Sequence, residues 1–204
     1  MPAAIDVTAI YANGWNSTEE YDTTERHLVD NAPPAPRHGL VLGYGDVADL
    51  VDKVDQLLTI DPDHPCLRSL EIVAHGSPIF VDGLTRTDVS GWGRELKQLG
   101  WCDEANLYLS GCNTGLARRR GPPAARGPIA RLLAGAMPFD PVDFPHKLTV
   151  LGTAGYVTGS HATGDIESTP EYSTGMLWWE VEYVVYPGAR TASGSRVWNP
   201  FRNW

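Results

Sequence analysis

Cysteine is scarce in this chain of 204 residues, which has only Cys66, Cys102 and Cys112 and no C-x-x-C spacing among them. An odd count without that spacing makes a disulfide framework improbable and gives no sign of a structural zinc site. No window approaches the length of about eighteen apolar residues typical of a membrane-spanning helix, and residues 1–10 lack the basic and apolar regions of a signal peptide. We therefore expect a protein of a reducing compartment, the cytoplasm, with no membrane partner.

Basic residues are also few. Lysine and arginine total 16 against 25 aspartates and glutamates, for a formal net charge of −9. This charge repels nucleic-acid phosphates and anionic membranes at long range. The one basic run, Arg118-Arg119-Arg120, has no aromatic residues interleaved with it, which favours a solvated loop over a nucleic-acid patch. No nucleic-acid partner is expected.

Short runs of branched apolar residues, typical of strands, alternate along the chain with segments whose apolar residues recur at helical spacing. With 42% hydrophobic residues, the chain can bury one sizeable core, and we predict a single domain over residues 1–204. A hairpin is predicted through residues 80–83 and a long surface loop over 156–172. The predicted strands cover 4–12, 39–43, 70–74, 105–109, 147–152 and 176–186, and the predicted helices cover 19–29, 47–58, 91–99 and 128–136. This alternation predicts an α/β fold of three layers, α/β/α, around a mostly parallel central sheet.

Two predicted strands end in reactive side chains. One runs into His75-Gly76, and the next along the chain runs into Ser110-Gly-Cys112-Asn-Thr-Gly115. Parallel strands present their carboxyl ends at one edge of a sheet, so the two ends are expected to meet. A thiol becomes a strong nucleophile when a neighbouring imidazole takes its proton. The adjacent glycines leave room for a substrate backbone, and the amides of Gly76 and Cys112 could stabilise an oxyanion.

These two blocks resemble the caspase-like cysteine peptidases, a group that includes caspases, metacaspases, gingipains, separase and the CHAT-domain proteins, and they are most similar to the CHAT branch. The likeness covers roughly residues 69–116. It implies a caspase-like fold with Cys112 as the nucleophile, His75 as the general acid and base, and the Gly76 and Cys112 amides as the oxyanion hole. It also implies a protein or peptide substrate, a regulatory protein partner and no metal or organic cofactor.

Substrate specificity in that family depends on loops after the later strands, which here correspond to residues 153–167. Asp165 or Glu167 could pair with a substrate arginine or lysine, which would direct cleavage after a basic residue. A solvated acidic loop is an equally good interpretation. With basic specificity, the arginine run at 118–120 would be a self-cleavage site, for which a flexible surface loop is the alternative.

Other functions remain open at this point. A non-catalytic interaction module with a vestigial pair would carry the same motifs. The sequence Gly43-Tyr-Gly45-Asp-Val-Ala48 has the G-x-G-x-x-A pattern of dinucleotide-binding oxidoreductases, although an acidic residue at the helix start would repel a phosphate. A metal site formed by His75, Cys112 and His161 lacks a recognised ligand spacing. The other two cysteines are interpreted as small core residues.

Overall fold

Runs of branched apolar residues form the strands, and segments with apolar residues at every third or fourth position form the helices. The computed structural model describes residues 3–32, 35, 37–60, 63, 65–115, 127–138 and 140–153, and the backbone of 156–158, 167–169, 182–187 and 195–198. The strands are β1 (Ala4–Tyr11), β2 (His38–Tyr44), β3 (Cys66–Val73), β4 (Gly76–Ser77), β5 (Phe80–Val81), β6 (Leu84–Thr85), β7 (Trp101–Ser110), β8 (Lys147–Thr153), β9 (Tyr156–Thr158), β10 (Glu167–Thr169), β11 (Glu182–Pro187) and β12 (Ser195–Trp198). The helices are α1 (Thr18–Asn31), α2 (Val47–Ile60), α3 (Val89–Leu96) and α4 (Ile129–Ala136).

In the described part of the chain, the central sheet has seven strands, in the order β12-β11-β8-β7-β3-β1-β2. The five strands from β2 to β8 pair in parallel, and β11 and β12 continue the sheet in antiparallel orientation. The chain leaves β1 toward β2 and then returns to β3 on the other side of β1. Connections therefore diverge between β1 and β3, and sheets of this kind bind ligands at the carboxyl ends of strands at such a point.

Helices cover both faces of the sheet, so the predicted three-layer α/β/α architecture with a mostly parallel sheet is confirmed. Helix α3 packs between α2 and α4 on one face. Right-handed crossovers place α1, whose connection runs in the opposite direction, on the other face. The core under α2, α3 and α4 includes Leu50, Val54, Trp92, Leu96, Leu107 and Leu133, all buried. Each such side chain contributes about 1.5–3 kcal/mol by leaving water.

The predicted elements are present, with several differences in extent. Strand β7 begins at Trp101, earlier than predicted, because Trp101 pairs with Leu67 of β3 and residues 104–105 pair with β8, although residues 103–104 are charged. Part of the predicted loop over 156–172 instead forms the antiparallel pair β9 and β10, so the loop prediction was wrong there. Strand β11 begins at Glu182, and the earlier part of the strand predicted from residue 176 lies outside the described residues. The predicted hairpin is part of a three-stranded meander, β4-β5-β6.

The prediction that no disulfide forms was wrong. Cys66 and Cys102 form a disulfide, with their Cα atoms 4.9 Å apart. Cys66 is the first residue of β3 and Cys102 is the second residue of β7. They lie next to the paired Leu67 and Trp101, so the sheet register brings together two cysteines that are 36 positions apart in sequence. Neither is the buried, reduced core residue that was predicted. A cross-link of this length stabilises a fold by about 2–4 kcal/mol, chiefly by restricting the unfolded chain.

Among the described residues, no helix combines the length and apolar character needed to cross a membrane. The two longest, α1 and α2, have 14 residues each and carry several charged side chains.

Candidate active site

The sheet register places the two predicted motif blocks at the same edge of the sheet. Val73 pairs with Ser110 at the ends of β3 and β7, and His75 and Cys112 each follow two positions later. The glycines beside them are in backbone contact: a β-carbon built at Gly111 would lie 3.1 Å from the Cα of Gly76. The predicted nucleophile and base therefore follow neighbouring strands at one edge of the sheet.

The turn that holds Cys112 is locked from the end of β8. Cys112 is the one free cysteine and is partly exposed. The Thr114 hydroxyl donates to the Leu109 carbonyl at 2.7 Å and accepts from the Thr153 amide at 2.9 Å. The Thr153 hydroxyl donates to the Gly111 carbonyl. Thr114 and Thr153 are fully buried, so these bonds are shielded from water and hold the turn firmly.

Asn113, directly after Cys112, has a φ of +57° and is the only described residue besides glycine in the left-handed region. Its side chain is 5% exposed. Asparagine tolerates this conformation better than most residues, and such backbone is commonly found at functional sites. The strand end is thereby turned sharply at the position of Cys112.

His75 is enclosed by a segment that the sequence patterns did not identify, the end of β1 and the start of α1. The Nε2 atom of His75 lies 3.4 Å from a carboxylate oxygen of Glu20 and 3.5 Å from the amide nitrogen of Asn16. The ring of Trp15 lies 4.9 Å from the imidazole, centroid to centroid. The available signal was Ser17-x-x-Glu20, a capping-box pattern that marks the start of a helix at the carboxyl end of β1.

That helix start is well ordered by its own hydrogen bonds. The Ser17 hydroxyl accepts from the Glu20 amide at 3.1 Å. The Glu20 carboxylate accepts from the backbone and side-chain nitrogens of Asn16, at 3.0 and 2.9 Å. The Trp15 indole donates to the Tyr11 carbonyl at 2.6 Å. These hydrogen bonds therefore fix the position of residues 15–20 beside His75.

A second carboxylate, Asp82, interacts with His75 from the β4-β5-β6 meander. Its amide donates to the His75 carbonyl at 3.0 Å. Burial raises the pKa of the Asp82 carboxyl, and the charge and backbone of His75 oppose that rise. Gly14, with a φ of +90°, passes so close that a β-carbon there would lie 2.6 Å from an Asp82 oxygen. Glycine is thus required where the chain leaving β1 crosses this carboxylate.

A buried chain of polar side chains runs across the sheet from Ser110, which precedes the turn of Cys112. The Ser110 hydroxyl donates to one oxygen of Glu71 at 2.7 Å, and the Thr8 hydroxyl donates to the other at 3.3 Å. His38 Nε2 lies 3.1 Å from the same Thr8 hydroxyl. All four side chains are buried, and they join β7, β3, β1 and β2. The residue before Gly111 is therefore tied through hydrogen bonds to the edge of the sheet.

His38 makes the stability of the fold depend on pH. Burial lowers its pKa below the ordinary value of 6.5, against the opposing effect of Asp6 and Glu71. The unfolded chain thus takes up the proton more readily, so this contribution to stability is present above about pH 6.5 and is lost as the pH falls. We expect the free energy of unfolding, measured with urea, to fall from about pH 7 to about pH 5, with a shallower fall in His38→Gln. Equal slopes in both proteins would contradict this assignment.

Several predicted site residues cannot be located. Asp165, His161 and the arginine run at 118–120 lie outside the described residues. Glu167 begins β10, of which only the backbone is described. Within the described ranges, no three histidine, cysteine, aspartate or glutamate side chains are grouped to hold a metal ion. The substrate-binding prediction thus stays a prediction.

The glycine-rich turn before α2 is closed by the chain's own carboxylates. The Gly45 amide donates to Asp49 at 2.8 Å, and the Asp49 amide donates to Asp46 at 2.9 Å. The Gly45 amide and Lys53 hold the pKa of the Asp49 carboxyl below its usual range. A pyrophosphate at this helix start would have to displace both carboxylates. The geometry favours a self-capped turn over a dinucleotide site.

No protein-family model matches this chain, and no curated protein or solved structure was found to be similar to it. Its function therefore has to be inferred from the site. The resemblance to caspase-like peptidases comes from the two motif blocks of the sequence.

Proposed function

We propose that the chain is a cysteine endopeptidase of the caspase-like type, with Cys112 as nucleophile and His75 as general acid and base. The observation that carries the proposal is the backbone contact between Gly76 and Gly111, each next to one member of the pair. This contact follows from the pairing of Val73 with Ser110. The sheet order adds support to the proposal, because the topological switch between β1 and β3 lies beside these glycines.

The chemistry follows from these two side chains. His75 takes the thiol proton, and the Cys112 thiolate attacks the carbonyl carbon of the scissile peptide bond. The negative charge that develops on the carbonyl oxygen is stabilised by the amides of Gly76 and Cys112. His75 then gives its proton to the leaving amine, and water, deprotonated by His75, hydrolyses the thioester. This series of reaction steps needs no metal or organic cofactor.

The substrate is a protein or peptide, cleaved after a basic residue if Asp165 or Glu167 lies beside the pair. Control by a regulatory protein partner is part of the same proposal. The cytoplasmic location predicted from the sequence is less well supported, because a disulfide such as Cys66–Cys102 is more typical of an oxidising compartment. Alkylating free thiols before cell lysis distinguishes the two compartments, because Cys66 and Cys102 found reduced in cells would favour the cytoplasm.

Covalent labelling combined with a peptide library tests the proposal. The protein, with its Cys66–Cys102 disulfide intact, is treated with a peptidyl acyloxymethyl ketone that has arginine or lysine next to the reactive group. Modified residues are then identified by mass spectrometry. We expect one adduct, on Cys112, with loss of cleavage of a fluorogenic library in proportion to labelling. Cys112→Ala should give no adduct.

If the wild-type protein and Cys112→Ala are equally inert toward the library, the peptidase proposal fails. That outcome favours the alternative of a non-catalytic interaction module, in which the same edge of the sheet binds a protein partner. A library that includes acidic and apolar residues before the cleaved bond keeps the test independent of the specificity prediction.

A further inference from the structure

Glu20 lies beside the imidazole of His75 together with Asn16 and Trp15, and it is the one of the three that carries a charge. Histidine has two ring nitrogens, and the hydrogen bond at one decides which tautomer and orientation the other presents. Glu20 lies at Nε2. We propose that Glu20 is a positioning residue that holds the proton of His75 on Nε2 and so leaves Nδ1 to exchange a proton with Cys112. This inference rests on the proposed function of the pair.

The Glu20 carboxylate is itself oriented before it meets the imidazole. One oxygen accepts the two hydrogen bonds from Asn16, and the other, Oε1, is the atom 3.4 Å from His75. The Asn16 side-chain nitrogen, which donates to the Glu20 carboxylate, also lies 3.5 Å from Nε2 and could donate there only to an unprotonated nitrogen, so Asn16 favours the opposite tautomer. Glu20 is the acceptor at Nε2, and its negative charge makes a hydrogen bond to it the stronger of the two. An acceptor at that nitrogen requires a proton on it.

Trp15 restricts the remaining freedom of the ring. Its indole lies at an interplanar angle of 51° to the imidazole and is held by the hydrogen bond to Tyr11. A ring packed on one side and bonded at one nitrogen cannot turn over without losing both contacts. Glu20 and Trp15 therefore act on different degrees of freedom, the tautomer and the ring plane.

Asp82 does not fill the same role. Its hydrogen bonds are with the backbone of His75, whereas the described side-chain contacts at Nε2 come from Glu20 and Asn16. Asp82 contributes negative charge near the imidazole, whereas Glu20 contributes both charge and a directed acceptor. The two carboxylates can be separated by substitution.

The size of the effect is limited by solvent. The side chains of His75 and Glu20 are 33% and 35% exposed, so water screens their attraction. Loss of orientation is therefore expected to matter more than loss of charge. For Glu20→Gln we expect a fall in kcat of about 10- to 100-fold with little change in KM, because Glu20 has no part in the proposed substrate contacts.

Glu20→Gln is the informative variant because glutamine keeps the shape of the side chain. Its amide oxygen can still accept from Asn16, and the Ser17 cap uses the backbone of residue 20. Its amide nitrogen can donate to Nε2 and thus permits the other tautomer. Glu19→Gln is the matched control, since it removes the same charge from the same helical turn at an exposed position.

Three measurements decide the question: the kcat and KM of library peptides, the rate at which iodoacetamide alkylates Cys112, and the ¹⁵N NMR signals of the His75 ring. Glu20→Gln should slow alkylation and shift the ring signals away from the Nε2–H tautomer, while Glu19→Gln should match the wild type. Ring signals and alkylation rates unchanged in Glu20→Gln would overturn the proposal.

The NMR and alkylation readouts do not require turnover. If the wild-type protein cleaves nothing but the ring signals still respond to Glu20→Gln, the peptidase proposal fails and the positioning role stands. If Glu20→Gln unfolds, Glu20→Asp provides the same test, because the shorter carboxylate withdraws from Nε2 while retaining its charge. An unchanged His75 tautomer and alkylation rate in that variant would likewise refute the role of Glu20.

Discussion

Alanine in place of His75 is expected to lower kcat for a cleaved peptide by about 10²–10⁴-fold. Without the imidazole, no group takes the thiol proton or returns one to the leaving amine. Cys112→Ala removes the proposed nucleophile and should abolish turnover. Because the two side chains act in one proton transfer, the double variant should be no less active than Cys112→Ala alone. Steady-state assays with one fluorogenic peptide measure all three proteins.

His146→Ala is the control for the His75 experiment. His146 is partly buried beside Phe144, with ring centroids 5.4 Å apart, before β8 and away from the carboxyl edge of the sheet. Its loss should change stability without lowering kcat. Equal losses of kcat in His75→Ala and His146→Ala would show that damage to the fold, and not loss of the base, explains the effect.

Gly111→Ala is expected both to destabilise the protein and to inactivate it. A β-carbon at this position would lie 2.8 Å from the Ala74 carbonyl oxygen and 3.1 Å from the Gly76 Cα, and both are backbone atoms that cannot rotate away. Crowding of this kind costs about 1–3 kcal/mol. If the strands part by as little as about 1 Å, the rate should fall by about a further 10²-fold. Urea denaturation and kcat measure the two effects separately.

Gly135→Ala is the matched change elsewhere. Gly135 is exposed in α4, and a β-carbon there would have no neighbour within 4 Å. Alanine in a helix is favoured over glycine by about 0.5–1 kcal/mol, so this variant should be as stable as the wild type or more stable, with unchanged kcat. A Gly111→Ala protein of normal stability and activity would contradict the close approach on which the proposed site depends.

Much of the fold could be predicted because local patterns and global topology agree. Helix α2 shows both. Its apolar residues recur at helical spacing, and the Asp46 side chain accepts a hydrogen bond from the amide of Asp49 in the first turn, as expected of a cap. The meeting of the strand ends could also be predicted, because parallel strands share a direction and the reactive residues follow the strands directly. Neither inference needs a distant contact to be known.

The missed features depend on such contacts. The Cys66–Cys102 disulfide is a consequence of the register between β3 and β7, which no spacing along the chain reveals. Glu20 was missed because the polar segment after β1 carries no signal for which strand end it will face. Its capping pattern predicts a helix start, but only the crossover from β1 to β2 places that start beside His75.

The disulfide also sets conditions for any experiment on Cys112. Residues 66–102 form a covalently closed ring that contains His75, and Cys112 lies ten positions outside it. Reductants that protect a catalytic thiol would open this ring and release two further thiols at the far end of the same strands. The chemistry that keeps Cys112 reactive is thus opposed to the chemistry that keeps β3 and β7 joined, and the redox potential of the surroundings has to satisfy both.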